Sequence, residues 1–229
     1  MILALETATR NCSVALVNSD GSNMVHREHH SEKYSHAEKL NEFIKNVLDA
    51  ANKSFSDLTA IAVSKGPGSY TGLRIGVSTA KGLCYALNLP LISIGTLPAM
   101  AHGAMEKESE YEAFVPMIDA RRMEVFTQAF DTEAKGIDDL RAQIVEPDSF
   151  DHLTGKKTLF FGDGAQKCAD VLTKAEFTFE KDFHPSAVDV AKLAVEKYKA
   201  EAFEDVAYFE PFYLKDFIAG PPPKKAKSQ

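Results

Sequence analysis

The sequence predicts an α/β protein made of two related lobes. Short apolar runs of strand length alternate with longer stretches at helical spacing. The order strand, polar turn, strand occurs twice, once from Ile2 and again from Ala113. A charged run, Glu106 to Glu110, separates the two occurrences. The halves share element order rather than evident identity, which points to an internal duplication of one α/β unit. The expected units are a first lobe over 1–105 and a smaller second lobe over 106–215, whose last helix is able to pack back on the first. A disordered Pro/Lys tail is expected over 216–229.

The elements follow in order. Ile2 to Leu5 and Ser13 to Val17 read as strands, joined by a loop holding Thr7, Thr9, Arg10 and Asn11. A third strand covers Asn23 to His29, after the Asp20-Gly21 turn. Ser35 and Glu38 form a capping box for a helix in which Leu40, Phe43, Ile44, Val47, Leu48 and Ala51 share one face. Leu58 to Val63 is a short strand that runs through Gly66-Pro67-Gly68-Ser69-Tyr70 into a helix from about Thr71 to Asn88. Pro90 ends that helix. A strand over Leu91 to Ile94 and a helix over Thr96 to Met105 complete the first half. In the second half, strands are expected over Ala113 to Ile118, Met123 to Phe130 and Thr158 to Phe161. Helices are expected over Ala165 to Thr173 and from near Pro185.

The chain has 229 residues, 45% hydrophobic and 26% charged, with a formal net charge of −7. That is enough apolar material for a core without disulfide staples. Cys12, Cys84 and Cys168 are too scattered for a disulfide framework or a zinc motif. The start lacks the basic flank and apolar length of a signal peptide, and no run is long enough to span a bilayer. A cytoplasmic, non-membrane protein is expected. The negative balance works against phosphate backbones, so a partner is expected to grip any nucleic acid.

Several motifs bear on chemistry. The segment GPGSYTG opens a helix, where backbone N–H groups favour anions. It lacks the lysine and hydroxyl pair of a Walker A loop, so a tight strand-to-helix turn is the favoured reading and a phosphate cradle the alternative. The turn Glu6-Thr7-Ala8-Thr9 resembles the first phosphate loop of actin-like ATPases. There an aspartate, a glycine and a hydroxyl residue sit between two strands; here glutamate and alanine replace the first two, which points to a degenerate nucleotide site. His26, His29, His30 and the isolated His36 are read as surface or capping residues, and no metal site is expected. Asp119, Arg121, Arg122 and Glu124 form a charged turn, either a structural ion-pair network or a contact for a partner or nucleotide. No nucleophile stands beside a base, and no carboxylate pair suits acid–base work.

The second helix stands out. Gly72, Ile75, Gly76, Thr79, Leu83, Ala86 and Leu87 fall on one arc; Leu73, Val77, Ala80 and Cys84 fall on the next. Together they span roughly 200°, where a helix resting on one core needs about 100°. Coverage on two sides is therefore expected, with Gly72, Gly76 and Thr79 letting a partner helix approach closely.

ILALETAT, SHAEKL, GPGSYTGLRIGVSTAKGLCYALNLPLISI, VPMIDARRMEVF and FFGDG together resemble the TsaB family of bacterial tRNA threonylcarbamoyladenosine biosynthesis proteins. The resemblance runs to about Leu214, and GPGSYTGLRIG is its most specific part. It implies the duplicated actin-like ATPase (ribonuclease H-like) fold. It also implies a non-catalytic subunit that pairs with and activates the catalytic protein TsaD, which carries the metal and the nucleotide. The ATPase TsaE, the threonylcarbamoyl-adenylate synthase and tRNA complete the implied system; the product is threonylcarbamoyladenosine in tRNAs reading codons that begin with A. The catalytic relative has a paired-histidine motif on its first helix, whereas His36 is unpaired here, so metal catalysis is not carried over. By the same resemblance the partner surface comprises Ser35, His36, Leu40, Phe43, Ile44, Val47, Gly72, Leu73, Ile75, Gly76, Thr79 and Leu83. The competing readings are a nucleotide-hydrolysing or metallopeptidase-like enzyme of the same superfamily, and a homodimeric scaffold.

Overall fold

A computed structural model describes residues 1–31, 36–180 and 182–215. The Ser35 cap and the tail over 216–229 lie outside these. Among the described residues, ten strands form two five-stranded sheets. The first holds β1 (Ile2–Glu6), β2 (Asn11–Val17), β3 (Val25–His30), β4 (Ala60–Gly66) and β5 (Leu91–Gly95), in the order β3-β2-β1-β4-β5. The second holds β6 (Ala113–Asp119), β7 (Glu124–Thr127), β8 (Arg141–Ile144), β9 (Thr158–Phe161) and β10 (Phe177–Glu180), in the order β10-β9-β6-β7-β8. In each sheet the first strand pairs antiparallel with the second and parallel with the fourth. The two sheets therefore have one topology, and the duplication inferred from element order is a duplication of fold.

Strand alternation sorts the first sheet into two faces. Leu3, Leu5, Cys12, Val14, Leu16, Ile61 and Val63 meet helices α1 (His36–Ala50) and α2 (Tyr70–Leu87). Ile2, Ala4, Ala15, Val17, Ala60 and Ala62 point to the opposite face. That face carries many alanines, and the helix lying on it matches: α4 (Ala187–Lys199) presents Ala187, Val190, Ala191, Ala194 and Val195. Small residues on both sides let helix and sheet approach closely.

The two terminal helices are exchanged between halves. α4 follows the second sheet in sequence but covers the first. Helix α3 (Thr96–Lys107) follows the first sheet, and its Leu97, Met100, Ala101 and Ala104 pack with Phe114, Ile118, Leu159 and Phe161 of the second. No helix among the described residues is long and apolar enough to cross a membrane.

Three expectations change. The helix expected over 165–173 is only a 3-10 turn at Gln166–Cys168. Ala165, Cys168 and Leu172 are buried at helical spacing, but two turns barely offset the cost of helix nucleation. The strand expected over 123–130 shortens to β7, after which Phe130 makes isolated bridges to Phe114 and Gly136. Strands β8 and β10 were not expected at all.

Overpacking the α4–sheet contact tests this arrangement. Ala191→Leu adds three carbons to a fully buried position. It is expected to lower unfolding free energy by about 1–3 kcal/mol in a urea titration. An unchanged midpoint would show that α4 is loosely seated.

A sealed turn and an exposed helix face

The turn between β1 and β2 is built inward. Glu6, Thr7 and Ala8 have no solvent exposure, and Thr9 is buried. Glu6 Oε1 accepts from Ala8 N at 2.6 Å, so the acid spends itself on a donor of its own loop. The segment after β4 closes over this turn. Ser69 N donates to Ala8 O at 2.6 Å, and Thr7 Oγ1 donates to Gly72 O at 2.8 Å. A Cβ at Gly72 would overlap Thr7 O, and one at Gly76 would overlap Thr7 Oγ1. The glycines that begin α2 thus serve contact with the chain's own turn. The strand-to-helix reading of GPGSYTG holds, with Ser69 Oγ capping α2 by accepting from Gly72 N at 3.3 Å.

Burial is also the main influence on Glu6. It pushes the carboxyl up to about 7, against the downward pull of the Ala8 N–H and the neighbouring Ser64 hydroxyl. His36 is buried, not on the surface as its sequence context indicates. Its Nε2–H donates to Thr9 O at 2.7 Å, tying the start of α1 to the same turn. Burial lowers its pKa, and the Thr9 carbonyl opposes that shift.

The residues expected to face a partner divide sharply. Leu40, Phe43, Ile44, Val47, Gly72, Leu73 and Gly76 are buried within this chain, beneath α1 and α2. The expectation that Gly72 and Gly76 admit a foreign helix is therefore corrected: the approaching group is Thr7, by its backbone at Gly72 and its side chain at Gly76. Ile75, Thr79 and Leu83 are half-buried and border an outward face that the periodicity argument did not isolate. Thr71, Arg74, Ser78, Gly82, Tyr85 and Ala86 compose that face, with Tyr85 88% exposed. A Cβ at Gly82 would meet nothing within 4 Å. Arg74 lies 5.3 Å from the Tyr70 ring centroid, and Lys81 Nζ donates to Phe209 O at 2.8 Å, which ties the C-terminal segment alongside α2.

The carboxylates of the charged turn are held within the chain, while Arg121 and Arg122 are exposed. Asp119 Oδ1 accepts from Arg121 N at 2.9 Å and pairs with Lys167; Glu124 pairs with Lys215. Arg121 and Arg122 both have positive φ, the backbone shape of a tight hairpin turn. His30 stacks on His184 with centroids 3.8 Å apart, while His26 and His29 are exposed on β3.

A family model described as TsaD, tRNA N6-adenosine threonylcarbamoyltransferase, matches residues 28–221. The tRNA threonylcarbamoyladenosine biosynthesis protein TsaB of Escherichia coli (strain K12) is 31% identical over 227 residues, spanning 95% of this chain and 96% of that protein. The chain belongs to the TsaB family. A solved Pseudomonas aeruginosa protein, described as uncharacterized with similarity to peptidase YEAZ, is 24% identical. It superposes with a TM-score of 0.80 over 93% of this chain and 99% of its own. The activator of 2-hydroxyisocaproyl-CoA dehydratase from Clostridium difficile, solved with ADPNP, gives a TM-score of 0.52 at 8% identity over 88% of this chain and 96% of its own. These likenesses place the fold in the two-lobed actin-like class expected from sequence.

Two outcomes test the sealed turn. Gly76→Leu is expected to destabilise or unfold the free chain, read by melting temperature; full retention of stability would contradict the Thr7 contact. Glu6 also predicts a pH slope. Its folded pKa lies above its unfolded value, so the folded state holds the extra proton and stability declines as pH rises from about 4.5 to about 7. The shift corresponds to about 3 kcal/mol. Glu6→Gln is expected to remove that slope from a melting-temperature series across this range, and an unaltered slope would assign it to another group.

Proposed function

We propose that this chain is a non-catalytic subunit in tRNA threonylcarbamoyladenosine formation, which pairs with and activates TsaD. The sealed turn carries the reading. A phosphate loop acts by leaving backbone N–H groups and space open to an anion. Here Glu6 takes the Ala8 N–H, and the Ser69–Gly76 segment covers Thr7 and Ala8. In this reading ATP and the catalytic metal reside on partner subunits, with TsaE and the threonylcarbamoyl-adenylate synthase acting in the same cytoplasmic system. The family membership supports the pathway, and the TsaD family model spanning most of the chain supports a partner of related fold.

The outward face of α2 fits the role of docking surface. Ser78, Gly82 and Ala86 recur every fourth residue and leave a low stripe for a second helix. Arg74 and Tyr85 flank it, and these residue types anchor interfaces disproportionately. The same face would hold two copies together when TsaD is absent.

Gly82 separates docking from folding, because its side is open in the free chain. Gly82→Leu is expected to leave melting temperature unchanged or raised, since glycine inside a helix is unfavourable by about 1 kcal/mol. Affinity for TsaD is expected to fall roughly 5- to 150-fold, the equivalent of about 1–3 kcal/mol of overpacking. Undiminished affinity would place the interface elsewhere. Reconstituted tRNA modification that proceeds at full rate without this chain would sink the function itself.

A further inference from the structure

Three side chains with metal-binding chemistry converge where α3 and α4 cross. His102 and Glu106 stand one turn apart on α3, and Asp189 comes from the first turn of α4. One donor atom of each lies within 4.8 Å of the other two.

Packing alone leaves this cluster unexplained. Asp189 is only 6% exposed, and no hydrogen bond reaches its carboxylate among the described residues. A carboxylate without a hydrogen-bond partner is costly to hold in so buried a site. His102 Nδ1 is buried as well, and it has no hydrogen-bond partner. Gly103 lies between the two ligands of α3, where a Cβ would collide with the Asp189 carboxylate. The glycine leaves a cradle that the carboxylate enters. Among the described residues, the one direct side-chain partner in this cluster is the ammonium of Lys192, which pairs with Glu106.

We propose that His102, Glu106 and Asp189 bind one divalent cation of the zinc class, and that Lys192 is the counter-charge the metal displaces. One imidazole and two carboxylates form a donor set suited to zinc, with solvent in the remaining position. Zinc bonds of about 2.0–2.2 Å set tetrahedral donors about 3.3 Å apart, so the cluster must contract by at most about 1.5 Å. Glu106 is exposed and flexible, which lets it supply most of that movement. Its release from Lys192 costs little, because Glu106 is exposed, Lys192 is partly exposed, and the ammonium returns to water. Bound metal would clip α3 to α4, the two helices exchanged between the halves.

Neither half of the site suggests itself in the sequence. The sequence puts Glu106 in the charged run beyond the helix that holds His102, and the third ligand lies on a distant helix. The expectation of no metal site rested on local motifs alone.

The experiment titrates zinc into the full chain, using a chromophoric chelator as competitor and melting temperature as a second readout. One zinc per chain is expected, with melting temperature rising as zinc increases. Glu106→Gln, at an exposed position that leaves folding intact, is expected to weaken binding at least tenfold. His102→Gln should do the same. Lys192→Met is expected to tighten binding several-fold, since it removes the competing cation; a purely structural ion pair would not respond this way. His30→Gln, which alters the separate histidine pair, should change nothing. Failure to bind zinc, or binding that survives both Glu106→Gln and His102→Gln, overturns the proposal.

Discussion

Each sheet is closed by a helix that chain order would give to the other. Without α4, the alanine-rich face of the first sheet would lie open to water. Without α3, so would much of the second. This exchange fixes how the halves sit, because neither core is complete while its covering helix is elsewhere. The path of the chain follows from it: α3 leads directly into β6, and α4 returns from the second sheet to the back of the first.

A second constraint works at the opposite face. Thr7 is held by Gly72 and Gly76, and Ala8 by Ser69. An actin-like fold with an open turn there could hold a phosphate. In this chain the same space is filled by the chain itself, so the turn becomes an anchor for α2. That anchoring presents the other side of α2 as a rigid, low surface. Under the proposed function, a closed phosphate turn and a docking face on α2 are linked through one set of contacts.

Much of the architecture is legible in the sequence because buried strands and amphipathic helices leave periodic traces. β1, β2, β4 and β5 are apolar runs bounded by polar turns. β8 is not legible, since Arg141, Ala142, Gln143 and Ile144 are all partly exposed and show no alternation. The candidate turn could be read from Glu6 and Ala8, which depart from a working phosphate loop. The orientation of α2 could not. Small residues signal close approach by some backbone, but an internal turn and a foreign helix demand the same glycines. Ser78, Gly82 and Ala86, which do face outward, look like ordinary surface residues until the inward side is known.

The exchange of terminal helices also bears on how the protein is made. In many two-lobed proteins the first unit can finish folding while the second is still being synthesised. Here the first sheet lacks its cover until residues 187–199 have left the ribosome. Until then Ile2, Ala4, Val17, Ala62 and Ile92 form a sticky face that lacks most of its native cover. Both lobes must therefore complete together, after nearly all of the described chain is available. A nascent chain stalled short of α4 would be a natural client for holding chaperones, however stable the finished protein is.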